Sequence, residues 1–226
     1  RGCNVTMPDK VEAAKYMDEL SPAAQIIGAV NTIVNDDGKL TGYITDGEGF
    51  VNNLKDHGID IKGRKITVAG GGGAATAIQV QCALDGAREI TIFNKKDDFF
   101  ERTLETAEKI RKAVPECVVN VYDIDDVAKM TEEINTSDIF ANATIVGMKP
   151  LDDQSVVKDT SAFRPGLVVA DAVYNPQETK LLREAKEAGC TCIGGKGMLL
   201  WQGVAAFKLY TGQDMPVDEV KELYFK

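Results

Sequence analysis

Ile66-Thr67-Val68-Ala69-Gly70-Gly71-Gly72-Gly73-Ala74-Ala75 is the stretch on which the fold turns. With Lys65 before it, the apolar run suits a short buried strand. The alanines after the glycines open a helix over Ala74–Leu84. Between the two, Gly70, Gly72 and Ala75 fit the spacing G-x-G-x-x-A. Glycine lets the backbone turn sharply there and approach a pyrophosphate, whose charge then rests against N–H groups at the helix start. A tight strand–helix crossing also favours small residues, but it does not account for four consecutive glycines. Gly70, Gly71, Gly72, Gly73 and Ala74 are therefore candidate dinucleotide-binding residues.

The same rhythm runs on downstream. Strands are expected at Glu89–Phe93, Val118–Tyr122, Asp138–Ala143, Leu167–Ala172 and Thr191–Ile193, with helices over about 98–113, 126–135, 178–188 and 198–210. Strands alternating with helices at this spacing imply right-handed crossovers and an α/β fold with a Rossmann-like, mostly parallel sheet. Residues 1–46 read differently. Pro8 suits the first turn of a helix reaching Met17, Ser21-Pro22 starts another, and Asp36-Asp37-Gly38 signals a hairpin between Ala29–Asn35 and Lys39–Tyr43. Residues 46–57 read as a helix leaving this region, and Val217–Tyr224 as an amphipathic segment that packs back on it.

Bulk properties narrow the function. The chain has 226 residues, 44% apolar and 27% charged, and no apolar run of membrane-spanning length. A net charge of −9 with scattered acids argues against a phosphate-backbone surface, so neither nucleic acid nor membrane is an expected partner. Five cysteines without a Cys-x-x-Cys suggest a reduced, cytoplasmic protein; Cys190 and Cys192 read as small buried apolar residues on one strand face. The single histidine, His57, falls where a helix ends and suits a helix C-terminus. Histidine triads and zinc sites are thereby set aside, and no metal is expected.

The second strand ends Phe93-Asn94-Lys95-Lys96-Asp97. An acid at this tip can accept bonds from the ribose hydroxyls of NAD, whereas a cation favours the 2′-phosphate of NADP. Both signs occur within three residues, so Asn94, Lys95 and Asp97 are candidate cofactor residues, with NAD favoured and NADP tolerated. A bound nicotinamide moves hydride, and carbonyl reduction also needs a proton donor. Without a usable histidine, lysine and aspartate are the candidates, notably Lys10 after Asn4-Val5-Thr6-Met7-Pro8-Asp9, and Asp46 in Thr45-Asp46-Gly47-Glu48-Gly49.

Taken together, these segments resemble the shikimate dehydrogenase family. Its G-x-N-V-T-x-P-x-K motif appears as Gly2–Lys10, its G-A-V-N-T as Gly28–Thr32, and its N-T-D-G-x-G as Ile44–Gly49, with Ile44 replacing the usual Asn. Asn142-Ala143-Thr144, Tyr174-Asn175-Pro176 and Gly197-Met198-Leu199-Leu200-Trp201-Gln202-Gly203 follow in the expected order. Asn94-Lys95-Lys96-Asp97-Asp98-Phe99-Phe100 looks most like the quinate/shikimate branch. The resemblance implies a small-molecule substrate, with Lys10 as general acid/base and Asp46 as its partner. It implies Thr6, Asn31, Tyr174 and Gln202 at the substrate, and Thr144, Ala172, Val173, Asn175, Gly195 and Met198 at the cofactor.

It further implies a substrate domain over 1–50 and 200–226 and a dinucleotide domain over 51–199, with a cleft between them and α-helical chain beyond Met198 bringing Gln202 into it. A homodimer, common in such families, is expected on that ground alone. Family members carry an N-terminal strand–helix portion with a Ser-x-Ser pair before the point where this sequence starts, at Arg1 and in mid-motif. The substrate domain is expected to be incomplete, and the chain beginning at Arg1 to bind cofactor but turn over shikimate weakly. Ile44 is expected to perturb the site, not to abolish it. Other readings are a methylenetetrahydrofolate-type dehydrogenase, which the Asn-Val-Thr and Tyr-Asn-Pro motifs disfavour, and a ligand-sensing or merely cofactor-binding domain of the same fold. A sensor would lack the Lys or the Asp, and both are present.

Steady-state kinetics with each dinucleotide is expected to give turnover with both and a preference for NAD. A preference of roughly a hundredfold for NADP, near 3 kcal/mol of differential binding, would overturn that reading of the Asn94–Asp97 tip.

Overall fold

A computed structural model of the chain describes residues 1–97 and 100–225. Asp98 and Phe99, within the stretch that resembles the quinate/shikimate branch, lie outside the described residues. The elements in chain order are β1 (Gly2–Asn4), α1 (Lys10–Ala14), β2 (Glu19–Leu20), α2 (Pro22–Ile27), β3 (Thr32–Asp36), β4 (Lys39–Tyr43) and α3 (Asp46–Asp56). There follow β5 (Lys65–Ala69), α4 (Gly73–Leu84), β6 (Glu89–Asn94), α5 (Phe100–Ala113), β7 (Val118–Asp123), α6 (Val127–Thr136) and β8 (Ile139–Asn142). The last are β9 (Val168–Asp171), α7 (Lys180–Glu187), β10 (Thr191–Ile193), α8 (Gly195–Thr211) and α9 (Val217–Tyr224).

The larger sheet has the order β7-β6-β5-β8-β9-β10, every neighbouring pair parallel. This is the doubly wound Rossmann order, and its direction reverses between β5 and β8, where the ends of two crossovers leave a crevice at the carboxyl edge. Parallel strands buried on both faces need continuous apolar runs, and all five residues of β5 and all four of β8 and β9 are buried. The smaller sheet has the order β1-β3-β4-β2, with β2 parallel to β4 and the other pairs antiparallel. Its β3–β4 hairpin closes at Asp37 and Gly38, both at positive φ (51° and 99°), as a tight turn that follows strand twist requires.

Three local expectations had different outcomes. His57 ends α3, and its Nδ1 donates to the Asn53 carbonyl at 2.8 Å. Cys190 and Cys192 are half-buried against the β8–β9 side of the core, not fully enclosed as their sequence setting implied. Cys192 lies in β10, the edge strand, and Cys190 just before it. The last helix, α9, makes its contacts away from the residues 1–46 that it is expected to pack on: Lys221 Nζ reaches Asp56 Oδ2 at the far end of α3 at 2.5 Å and lies over the Trp201 ring of α8. Among the described residues no helix is long and apolar enough to cross a membrane.

Beneath the sheet, Lys65 of β5 is 7% exposed and Glu133 of α6 is 6% exposed, and they pair at 2.7 Å. Burial alone would push the Glu133 carboxyl up, but hydrogen bonds from Lys129 and Lys65 outweigh it and hold the group below the ordinary glutamate range. A carboxyl lowered in the folded state adds stability above its unfolded value, and that stability is lost as pH falls through the folded one. Glu133→Gln is therefore expected to cost about 3 kcal/mol at neutral pH and to flatten the acid limb of a stability-versus-pH curve. Urea denaturation at several pH values measures both, and an unchanged acid limb would contradict this account.

Candidate active site

Lys10 and Asp46 are each the first residue of a helix, α1 and α3. The backbone around Lys10 is pinned, because its carbonyl accepts from Val30 N at 2.9 Å and Val5 N donates to the Asn31 carbonyl at 2.8 Å. Asp46 in the first turn of α3 complements the positive end of that helix. Between them Lys10 Nζ donates to Asp46 Oδ2 at 2.7 Å. The side chains are 21% and 18% exposed, shielded enough to strengthen the pair yet open to a small molecule.

Behind this pair lies a buried amide lock. Asn31 Oδ1 accepts from Thr45 N at 2.9 Å and from Thr32 Oγ1 at 3.0 Å, while Asn31 Nδ2 donates to Thr45 Oγ1 at 3.1 Å. The Thr45 hydroxyl in turn lies 3.4 Å from Gln202 Oε1 on α8. β3, α3 and α8 are thereby joined through two side chains. Sequence reasoning did not assign Thr45 a role; its only signal was adjacency to Asp46.

One cavity of about 540 Å³ collects all six expected catalytic and substrate residues and four of the fourteen cofactor candidates. Thr6, Lys10, Asn31 and Asp46 line one side, and Ala74, Ala172, Tyr174, Gly195, Met198 and Gln202 complete it. Asn4, Val5 and Leu199 also line it; Asn4 and Val5 stood in a quoted motif without a role, and Leu199 carried no chemical signal. Ile44 is not on this cavity. It is 6% exposed in the main core and borders a separate hollow with Tyr43, Glu48 and Gln81.

The remaining cofactor candidates do not line the cavity, but they sit along the carboxyl edge of the large sheet. The Gly70–Gly73 turn follows β5, Asn94 ends β6 with Lys95 and Asp97 exposed beyond it, and Thr144 follows β8. Val173 and Asn175 follow β9, with Val173 buried and Asn175 exposed. Asn94 has a second employment: its amide donates to Thr103 Oγ1 at 2.9 Å, underneath the glycine turn.

The turn itself fits a pyrophosphate. A Cβ on Gly70, which has φ +123°, would lie 2.7 Å from the Ala143 carbonyl oxygen, and one on Gly71 would lie 2.4 Å from Asn94 Nδ2 and Thr103 Oγ1. Gly72 and Gly73 have nothing within 4 Å of a would-be Cβ, so their backbone at the start of the 12-residue helix α4 stands open to an anion.

A nucleotide-type sheet edge opposite a lysine–carboxylate pair defines a dinucleotide-dependent oxidoreductase site. The model of the shikimate dehydrogenase substrate binding domain matches residues 1–33, and that of the shikimate 5′-dehydrogenase C-terminal domain matches residues 195–223. A relative described as shikimate dehydrogenase (NADP(+)), from Listeria monocytogenes serotype 4b (strain F2365), is 52% identical over 225 residues, which is 100% of this chain and 77% of the relative. The crystal structure of shikimate 5-dehydrogenase from Listeria monocytogenes in complex with shikimate and NAD superposes with a TM-score of 0.96 at 52% identity, over 99% of this chain and 77% of that one. Quinate dehydrogenase from Corynebacterium glutamicum in complex with NAD gives 0.88 at 30% identity, over 99% and 77%. The chain belongs to the shikimate dehydrogenase family.

The amide lock generates a prediction. Asn31→Ala leaves Thr45 N and Thr32 Oγ1 buried without this acceptor, and is expected to destabilise the fold by about 1–3 kcal/mol. The shift of the urea midpoint at constant slope measures it; a change below about 0.5 kcal/mol would mean the lock is dispensable.

Proposed function

We propose that this protein interconverts shikimate and 3-dehydroshikimate with NAD or NADP, with Lys10 as general acid/base and Asp46 as its partner. The observation that carries the reading is the 2.7 Å Lys10–Asp46 pair, on a cavity it shares with Ala172, Gly195 and Met198 from the dinucleotide edge. The substrate named for the 52% identical Listeria structure supports the choice of a ring polyol. Residues 1–50 and 200–226 would act as the substrate side and residues 51–199 as the dinucleotide side.

In this reading the Gly70–Ala74 turn holds the pyrophosphate, Asn94, Lys95 and Asp97 meet the adenosine ribose, and Thr144, Ala172, Val173, Asn175, Gly195 and Met198 meet the other end. A bound nicotinamide supplies or takes the hydride. Lys10 Nζ gives a proton to the substrate carbonyl oxygen as that oxygen gains negative charge, and takes it back in the opposite direction. Asp46 accepts a hydrogen bond from the ammonium and so directs its remaining N–H groups toward the cavity. Thr6, Asn31 and Gln202 meet ring hydroxyls; amides suit a polyol because each offers donor and acceptor. Tyr174, 49% exposed, covers the mouth where substrate and nicotinamide meet.

Two finer choices follow the same residues. NAD is favoured, since Asp97 stands at the β6 tip beside Lys95 and Lys96, and both dinucleotides appear in the names of the relatives. Quinate, which differs by a tertiary hydroxyl on a saturated ring, is a second substrate; the 30% identical quinate dehydrogenase favours it.

Shikimate- and quinate-dependent NADH formation by the full-length protein and its Lys10→Met variant tests the assignment. The variant is expected to lose at least about a hundredfold in kcat, the lower end of what general acid–base catalysis supplies, with dinucleotide affinity retained. Wild-type rates in the variant would remove Lys10 from the chemistry.

A further inference from the structure

Beside the cavity, one carboxylate is nearly sealed from water and is assigned no role in the proton transfer just described. Asp171, the last residue of β9, is 2% exposed. Its Oδ1 accepts from Asn142 Nδ2 at 2.9 Å and from Val173 N at 2.9 Å, and its Oδ2 accepts from Thr179 Oγ1 at 2.6 Å. All three donors are neutral. Burial pushes the carboxyl up, and the bonds from Thr179, Val173 and Asn142 work against that push without cancelling it. A buried acid without a cation is a costly way to fill a core. What it provides is an acceptor-only group on which three donors can converge at fixed angles.

Those donors lead to two loops. Asn142 is the register partner of Asp171 across β8 and β9. Its Oδ1 accepts from Thr144 N at 3.1 Å and Thr144 Oγ1 at 2.7 Å, and its Nδ2 also donates to the Val146 carbonyl at 3.0 Å. The loop after β8 is thus tied to Asp171 through one amide. The loop after β9 is tied directly, through Val173 N, and its far end through Thr179, the N-cap of α7. The first residue of α8 then closes on that loop: a Cβ on Gly195 would lie 2.5 Å from the Ala172 carbonyl oxygen.

We propose that Asp171 is a positioning residue that sets the loops after β8 and β9 against each other and so shapes the nicotinamide end of the dinucleotide site. The inference rests on the function proposed above, which puts Thr144, Ala172 and Val173 at that end. Among the described residues, no hydrogen bond of the Asp171 or Asn142 side chain reaches the pyrophosphate turn or the β6 tip. Gly70 packs on the backbone of Ala143, which the sheet holds through Ala69. Loss of Asp171 therefore weakens binding of a whole dinucleotide and spares a ligand that ends at the second ribose.

Isothermal titration of the full-length protein with ADP-ribose and with NAD+ or NADP+, whichever the wild type binds more tightly, tests this. Asp171→Ala is expected to raise the dinucleotide Kd about tenfold, as one or more buried donors go unpaired, and to leave the ADP-ribose Kd within about twofold. Asp171→Asn keeps one acceptor oxygen for Asn142 and Val173, and is expected to lose only about threefold, again for the dinucleotide alone. An equal loss for both ligands would reduce Asp171 to a general structural role, and no loss for either would also overturn the proposal. Should Asp171→Ala fail to fold, Asp171→Asn decides by the same comparison: an unchanged ratio of the two constants overturns the clamp. A wild type that bound no dinucleotide would bring down the proposed function and the clamp together, whereas dinucleotide bound equally well by wild type and variants would sink the clamp alone.

Discussion

Two helices approach so closely that side chains between them have no room. A Cβ on Gly49 of α3 would lie 2.7 Å from the Met198 carbonyl oxygen and Gln202 N of α8, and one on Gly197 of α8 would lie 1.9 Å from Asn53 Oδ1 of α3. Gly47 makes a like approach to α4, where its Cβ would meet the Ala77 carbonyl oxygen at 2.2 Å. α3 is thus indexed to two helices of the large sheet at once, and at its own start it carries Asp46. The distance between the Lys10–Asp46 pair and the carboxyl edge of the large sheet follows from these crossings.

The crossings have an electrostatic consequence. Four residues on the cavity stand at the first or second position of a helix: Lys10 on α1, Asp46 on α3, Ala74 on α4 and Gly195 on α8. Helix starts carry partial positive charge and open N–H groups. Within a chain of net charge −9, these helix starts gather open N–H groups at one cleft, a setting that favours anions. Asp46 is favoured at such a helix start, and there it accepts from Lys10 Nζ at 2.7 Å.

Much of this was legible before any coordinates. The strand–turn–helix at Lys65–Leu84 and the alternation after it led to a parallel sheet because periodicity and glycine spacing are local properties. The lack of a usable histidine pointed only to lysine and aspartate as residue types; Lys10 and Asp46 were singled out by the family motifs they stand in. Other features depend on tertiary approach. β1 and β2 have three and two residues, too short for any alternation to register, and β2 pairs in parallel with a strand some twenty residues on. Asn94 reads as a group at a cofactor tip, yet its amide is turned to Thr103 under Gly71. Asp171 looks like an ordinary strand-end acid; only pairing with β8 makes it a hub. Ile44 departs from the family pattern two residues before Asp46, yet it packs into the core, because nearby positions here face different surroundings.

Lys65 and Lys10 each pair with a carboxylate in a sheltered place, and what separates them is donor capacity. An ammonium has three N–H groups. Lys65 Nζ spends its three on Glu133 at 2.7 Å, Thr136 at 2.9 Å and Glu89 at 3.1 Å, with its side chain 8% exposed. Nothing remains for a ligand, and nothing reaches it. Lys10 Nζ, among the described residues, has one bond, to Asp46, and its side chain is 21% exposed on a cavity. Distance alone would not distinguish the two, since both shortest contacts are 2.7 Å. Scaffold polar groups are saturated because any unpaired donor in the interior is destabilising. A group that handles protons must keep part of its capacity open where a substrate oxygen can arrive, and in this fold Lys10 meets that condition while Lys65 does not.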